Sequence, residues 1–401
     1  MDKGKSILII GAGVFGLSTA LELSRRGYTD ITVLDRHTAP VPDGSSVDIS
    51  RIIRPDYADK FYARMGIEAL HEFKNEYLKD ARDNLEKLGD GLNLWTFIGE
   101  EATERYPGIH GDLSQTSGYC NLDAGWANAA ESIKHLANLC KDAGVKFLSG
   151  EQGTVTELVS EKSTDRKTIS GVRPADGKVV NADTVILATG AWTPHLLKSG
   201  NRFLATGQPV GYMQLTPEEA VEMQGSPVMI NLSTGWFAFP PTPGDHLLKM
   251  ARHGYGFETT HASEPSRYSA PSLSFQHDYL PGDAEQALRD GLALFLPKFK
   301  DRAFSKARLC WYTDTPKGDF IVDYHPEYTN LFVATGGSGH AFKFLPILGQ
   351  YIADNFEGIA SEEQRRKWAW SETAEPIMPG DGSRGGPERR VLTEEEQARL
   401  F

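Results

Sequence analysis

A discontinuous α/β fold, one domain on a parallel sheet and a second α+β domain on a mixed sheet, follows from three observations. The amino end carries a complete βαβ unit in residues 6–35. A second apolar strand ending in a small-residue turn, "TVILATGAW", comes only at 184–192. A third strand, glycine loop and helix, "LFVATGGSGHAFKFLPILGQYIADNF", occupies 331–356.

The first unit reads "SILIIGAGVFGLSTALELSRRGYTDITVLD". The run "ILII" is a short buried strand. Gly11, Gly13 and Gly16 then form G-x-G-x-x-G, with Val14 and Phe15 between the last two. Leu17, Ala20, Leu21 and Leu23 give a helical apolar pattern, and Gly27 stops it. "ITVL" is the second strand and ends at Asp35, beside Arg36. Each part has a physical job. Gly11 permits a tight turn, Gly13 lets the backbone approach a pyrophosphate, and Gly16 lets helix and strand pack closely. The helix N-terminus offers free N–H groups to phosphates. Asp35 is placed to accept hydrogen bonds from ribose hydroxyls. Strand, loop, helix, strand and acid together predict a Rossmann-type dinucleotide site.

The motif alone does not separate NAD from FAD. The wide gap before Gly190 and Trp192 of the second piece favours FAD, whose binding domains are interrupted by insertions. The third piece adds Gly337, Ser338, Gly339, His340, Ala341 and Phe342, a loop that would bring a helix N-terminus toward the flavin ring. The polar loop "GSSVDIS" at 44–50 offers Ser45, Ser46 and Ser50 to phosphate or ribityl oxygens.

A chain of 401 residues predicts two domains. A net charge of −12 argues against a phosphate-binding surface for nucleic acid. Cys120, Cys140 and Cys310 show neither metal spacing nor an even framework, which predicts a reducing compartment. No run of 18 apolar residues predicts a membrane span. Glycines interrupt the first apolar run, so it does not read as a signal peptide. The chain ends "ARLF" rather than "SKL", so the expectation is cytosol, with peroxisome open.

Four stretches in order, "GAGVFGLSTALEL", "GSSVDISRIIR", "CWYTDTPKGDFIVDYHP" and "ATGGSGHAFKFLP", resemble the flavin amine oxidases that include monomeric sarcosine oxidase, saccharopine and pipecolate oxidases and fructosyl amino acid oxidases. The likeness is strongest to the fungal saccharopine/fructosyl branch and spans roughly residues 5–370. It implies that FAD is covalently attached through Cys310, with Arg308 and Lys306 favouring the thiolate. It places Arg51 against the flavin, and Arg54 and Lys343 on a substrate carboxylate, which a guanidinium can hold through two parallel bonds. It assigns Lys249 to oxygen activation beside the flavin, and His253 and Tyr312 to the substrate pocket. Val155 falls where adenine meets a backbone amide. Fructosyl amino acid oxidases carry glutamate where this chain has His253 and lack an arginine at Arg54, two departures that speak against a fructosyl substrate.

The expected FAD-binding domain takes 1–85, 145–210 and 308–370. The substrate domain takes 86–144 and 211–307, with a polar loop at 258–272 covering the site. Residues 371–401 read as an extended tail, with "SRGGPERR" at 383–390 as solvated coil and "EEEQAR" as a surface helix. The expected function is an FAD-dependent oxidase of a carboxylate-bearing secondary amine or N-substituted amino acid. It acts as a monomer on a small-molecule substrate and oxygen, with no metal, nucleic-acid or membrane partner. The alternatives are a fructosyl amino acid oxidase, a biosynthetic amine oxidase and a flavin-binding sensor without turnover.

Overall fold

A computed structural model describes residues 2–77, 94–162, 166–198, 200, 202–260, 269–273, 278–371 and 384–400. Most of the expected covering loop, 261–268, lies outside them, as do 372–383 of the expected tail.

The three expected pieces meet in one six-stranded sheet. Its order is Ile321–Tyr324, Leu331–Thr335, Thr184–Leu187, Ser6–Ile10, Asp30–Leu34 and Lys146–Leu148. Ile9 stands beside Ile186 on one side and Val33 on the other, both in parallel pairings. Only the edge strand Ile321–Tyr324 runs antiparallel. Both faces are covered, so these strands are near-continuous apolar runs. The helix Val14–Arg25 lies on one face with Ala129–Asp142 and Leu345–Glu357. Gly349 lets that last helix come close: a Cβ there would lie 2.2 Å from Ser18 O.

A seven-stranded mixed sheet forms the second layer. Strand Leu204–Gln214 is its spine, pairing antiparallel with Leu247–Arg252 on one edge and Lys306–Asp314 on the other. Tyr212 stands opposite Lys249, and Gln208 opposite Cys310. Side chains alternate along a strand. The register therefore sets Gln208, Val210, Tyr212, Lys249, Ala251, Arg308, Cys310 and Tyr312 on one face. The opposite face carries Leu248, Met250, Leu309 and Trp311 into the apolar core beneath helix Gly282–Phe295.

The chain boundaries expected from sequence cut through this sheet. Position 210 falls inside the spine strand, and 308 inside its neighbour. The carboxyl segment is not a solvated coil. Arg390–Val391 adds a parallel strand beside Phe257–Glu258. Helix Glu394–Leu400 buries Leu400 and Gln397 rather than lying wholly on the surface.

Candidate active site

Two cavities, of about 340 and 500 Å³, share a wall made of Arg51, Tyr312, Gly339, His340 and Phe342. The first runs along the carboxyl ends of the parallel strands, where α/β sheets place their ligands. Gly11 turns with φ 111°, and a Cβ on it would lie 2.3 Å from Ala188 O. On Gly16 a Cβ would lie 1.9 Å from Gly11 O, so only glycine lets the helix start this close to the turn. Gly13 caps the helix without a side chain, while Val14 N donates to Ser46 Oγ at 2.9 Å. Asp35 accepts from Ala12 N at 2.8 Å and His37 N at 3.2 Å. Burial pushes its carboxyl up, and those two amides oppose the shift. Arg36 spans Asp43 at 2.7 Å and the Trp192 ring at 4.6 Å. Phe15, Ser45, Val155, Gly190, Gly337 and Ala341 complete the expected lining.

Five residues of the expected cofactor set do not line the first cavity. Gly16 packs under the turn. Ser50 is fully buried; its carbonyl accepts from Lys249 Nζ at 2.7 Å, and its hydroxyl has no hydrogen-bond partner among the described residues. Ser338, Cys310 and Lys343 line the second cavity. Ser338 adopts φ 44° in the glycine loop, its N–H donating to Thr313 O at 2.9 Å.

The second cavity gathers all five expected catalytic residues: Lys249, Arg54, Lys343, His253 and Tyr312. Arg51 and Arg54 diverge, as an extended segment requires. Arg51 reaches Asp48 at 2.7 Å and Ser45 O at 2.7 Å, and stands 3.8 Å from Cys310 Sγ. Arg54 turns the other way, over the Tyr57 ring at 5.9 Å, with no carboxylate within salt-bridge distance among the described residues. Lys343 Nζ sits 4.7 Å from the same ring. Gly318 O can only accept, so His340 Nε2 donates to it at 2.8 Å; in the neutral ring Nδ1 then accepts from Tyr57 O–H at 2.9 Å. Burial holds His253 well below the usual imidazole range, and the nearby cations Arg384, Lys343 and Arg54 add to this. It is neutral at pH 7, inside a pocket dominated by positive charge.

Lys249 is 1% exposed. Its ammonium contacts Asp48 at 3.0 Å and faces the Phe239 ring at 4.8 Å. Burial lowers it to about 7, against the pull of Asp48.

Residues 6–355 match a family described as FAD dependent oxidoreductase. The chain belongs to that family. It is 34% identical to L-saccharopine oxidase of Schizosaccharomyces pombe over 92% of this chain and 93% of that one. It is 23% identical to monomeric sarcosine oxidase of Arthrobacter sp. over 88% and 92%. Among solved structures it is similar to fructosamine oxidase (Amadoriase II) of Aspergillus fumigatus, with a TM-score of 0.85, 30% identity and coverage of 98% and 96%.

The first cavity fits the FAD of this family. A helix start capped only by glycine, a turn that excludes any Cβ and a carboxylate at the end of the second strand are what a dinucleotide needs. No helix among the described residues is long and apolar enough to cross a membrane. Nor do the described residues hold a cluster of His, Cys, Asp or Glu suited to a metal.

Sequence reasoning missed three residues of the site. Asp48 is a lone acid between serines, with no local signal. Tyr57 is three positions past Arg54 and carried no motif. Arg384 lies in the stretch expected to be solvated, yet its guanidinium clasps both carboxylate oxygens of Asp314, one at 2.7 Å, and lines the second cavity.

Proposed function

We propose that this protein is an FAD-dependent oxidase of a carboxylate-bearing secondary amine or N-substituted amino acid, of saccharopine, pipecolate or N-methyl amino acid type, and that it releases an imine and hydrogen peroxide. One observation carries the reading: Arg54 and Lys343 flank Tyr57 in a cavity that shares its wall with the dinucleotide cavity. FAD, when bound, supplies the two-electron acceptor for the C–H bond next to nitrogen and passes the electrons to oxygen.

The chain's own residues do the rest. Arg54 and Lys343 hold the carboxylate and so fix which carbon faces the shared wall. Neutral His253 adds no cation against a substrate amine. Positive charge around the pocket favours the amine free base over its ammonium form, which is the form that can be oxidised. Lys249, lining the same pocket, presents a charge for the oxygen step. Cys310 Sγ, beside Arg51, is the proposed point of covalent attachment. The two-domain division is part of this reading, apart from its cuts at 210 and 308, which fall inside strands.

The similarity to Amadoriase II favours a second reading, oxidation of fructosyl amino acids. The neutral His253 and the cationic Arg54 in the pocket speak against it. A panel of saccharopine, pipecolate, sarcosine, N-methyl amino acids and fructosyl-lysine, read by peroxide release, decides. We expect turnover of at least one acid in the first group. Turnover of fructosyl-lysine alone would establish the second reading, and no peroxide from any amine would remove the oxidase reading.

A further inference from the structure

Asp48 is a buried carboxylate that touches three cations beside the shared wall, Arg51, Lys249 and Arg308. Its side chain is 0% exposed. One oxygen meets Arg51 Nη1 at 2.7 Å, Lys249 Nζ at 3.0 Å and Arg308 Nη2 at 3.4 Å. The other accepts from Tyr212 O–H at 2.8 Å and Ile49 N at 2.7 Å. The four side-chain partners come from four strands: Arg51–Ile53, Leu204–Gln214, Leu247–Arg252 and Lys306–Asp314. Cys310 and Tyr312 face the same space from the last of them.

A single carboxylate balancing three buried cations is not a satisfied structural ion pair. Among the described residues no second carboxylate stands within salt-bridge distance of Arg51, Lys249 or Arg308. A structural role alone would be met by one partner, and burying extra like charges costs stability. The arrangement instead apportions one negative charge among Lys249, which reaches into the second cavity, Arg51, which touches Cys310 Sγ, and Arg308.

We propose that Asp48 is a positioning residue that keeps Lys249 charged and aimed into the second cavity, and that Arg308 limits this hold by competing for the same oxygen. The proposal rests on the reading of Lys249 as the oxygen-side cation. Two bonds fix the ammonium: Asp48 Oδ2 and Ser50 O at 2.7 Å. Only the first carries charge. An opposite charge at this range favours the charged form of a lysine by about one to three pH units. Without Asp48, burial and Arg51 would leave Lys249 neutral near pH 7. Without Arg308, Asp48 would act on Lys249 more strongly.

The two variants therefore predict shifts of opposite sign, which a merely structural residue does not. The test is NMR titration of the holoenzyme carrying ¹³C at lysine Cε, with the Lys249 signal assigned by its loss in Lys249→Met. Asp48→Asn should lower the Lys249 midpoint by about one pH unit or more. Arg308→Met should raise it, and Asp48→Glu should bring it back toward wild type. If Asp48→Asn does not fold, the upward shift in Arg308→Met decides alone. An unmoved midpoint in Arg308→Met, or shifts of the same sign in both variants, overturns the proposal. Rapid mixing of dithionite-reduced holoenzyme with oxygen, without any amine, tests the underlying reading separately. If the midpoints shift as expected but the oxygen rate does not follow them, Lys249 is not the oxygen-side cation and the positioning by Asp48 stands.

Discussion

Lys249 holds its charge in a place that resists it. Burial lowers it to about 7, and Arg51 pushes the same way, while Asp48 opposes both. A group lowered from 10.5 to about 7 loses its proton as pH rises through that value. The oxygen half-reaction should therefore fall as pH rises through about 7, and the fall should vanish in Lys249→Met. That variant should slow the oxygen half-reaction by about 10²- to 10³-fold, the usual loss for one preorganised donor. The amine half-reaction should change less. Asp48 keeps Arg51 and Arg308 as partners in the variant, so its carboxylate is not orphaned and the fold should hold. Stopped-flow traces of the two half-reactions check this. Equal slowing of both would place Lys249 on the substrate instead. Cys310 offers a simpler readout at the same scale. Its sulfur lies on the cavity wall 3.8 Å from Arg51 Nη2. Acid-precipitated wild type should stay yellow, and Cys310→Ala should release its colour to the supernatant. Colour lost from wild type under the same treatment would show the flavin to be held without a covalent bond.

The strand Leu204–Gln214 joins the functional halves. By pairing with strands on both sides it sets Lys249 and Cys310, far apart in sequence, on one face. The carboxyl segment is the other element that matters. Arg384 clasps Asp314 and donates to Gly254 O and Ser338 O, both at 3.2 Å. It so ties the glycine loop to the strand that bears Cys310 and Tyr312. Asp314 is 3% exposed, so Arg384→Ala strands a buried carboxylate that keeps only the Thr206 hydroxyl as side-chain donor among the described residues. The cost of breaking such a pair is about 3–5 kcal/mol. Thermal unfolding should show that loss, and Arg384→Leu combined with Asp314→Asn should recover much of it. An Arg384→Ala melting point equal to wild type would show the segment to be an appendage. The parallel sheet and its turn were legible in the sequence, because apolar runs, glycines and Asp35 act within some thirty neighbouring residues. Asp48 and Arg384 were not. Asp48 gains its meaning only when Lys249 and Arg308 arrive through strand pairing, and Arg384 only when the segment folds back onto Asp314. The composition around each reads as loop.

At the scale of the molecule, one cavity suits a dinucleotide and its neighbour concentrates positive charge, in a chain whose net charge is −12. A local basic pocket within an acidic protein selects an acid by contrast. Resemblance to a family identified Lys249, Arg54 and Lys343 from sequence; their convergence in one pocket is a property of the fold. The central claim is that this pocket reads a carboxylate. The direct measurement is kcat/KM for the acid and the amide of one amine, on wild type and Arg54→Ala. Truncating a fully buried charged partner costs about 2–5 kcal/mol. Arg54 is half-buried, which points to the lower end, about 2–3 kcal/mol, or roughly 30- to 150-fold. Wild type should prefer the acid, and the variant should lose that much on the acid while changing little on the amide. Equal losses on both forms, or a wild-type preference for the amide, would contradict the account.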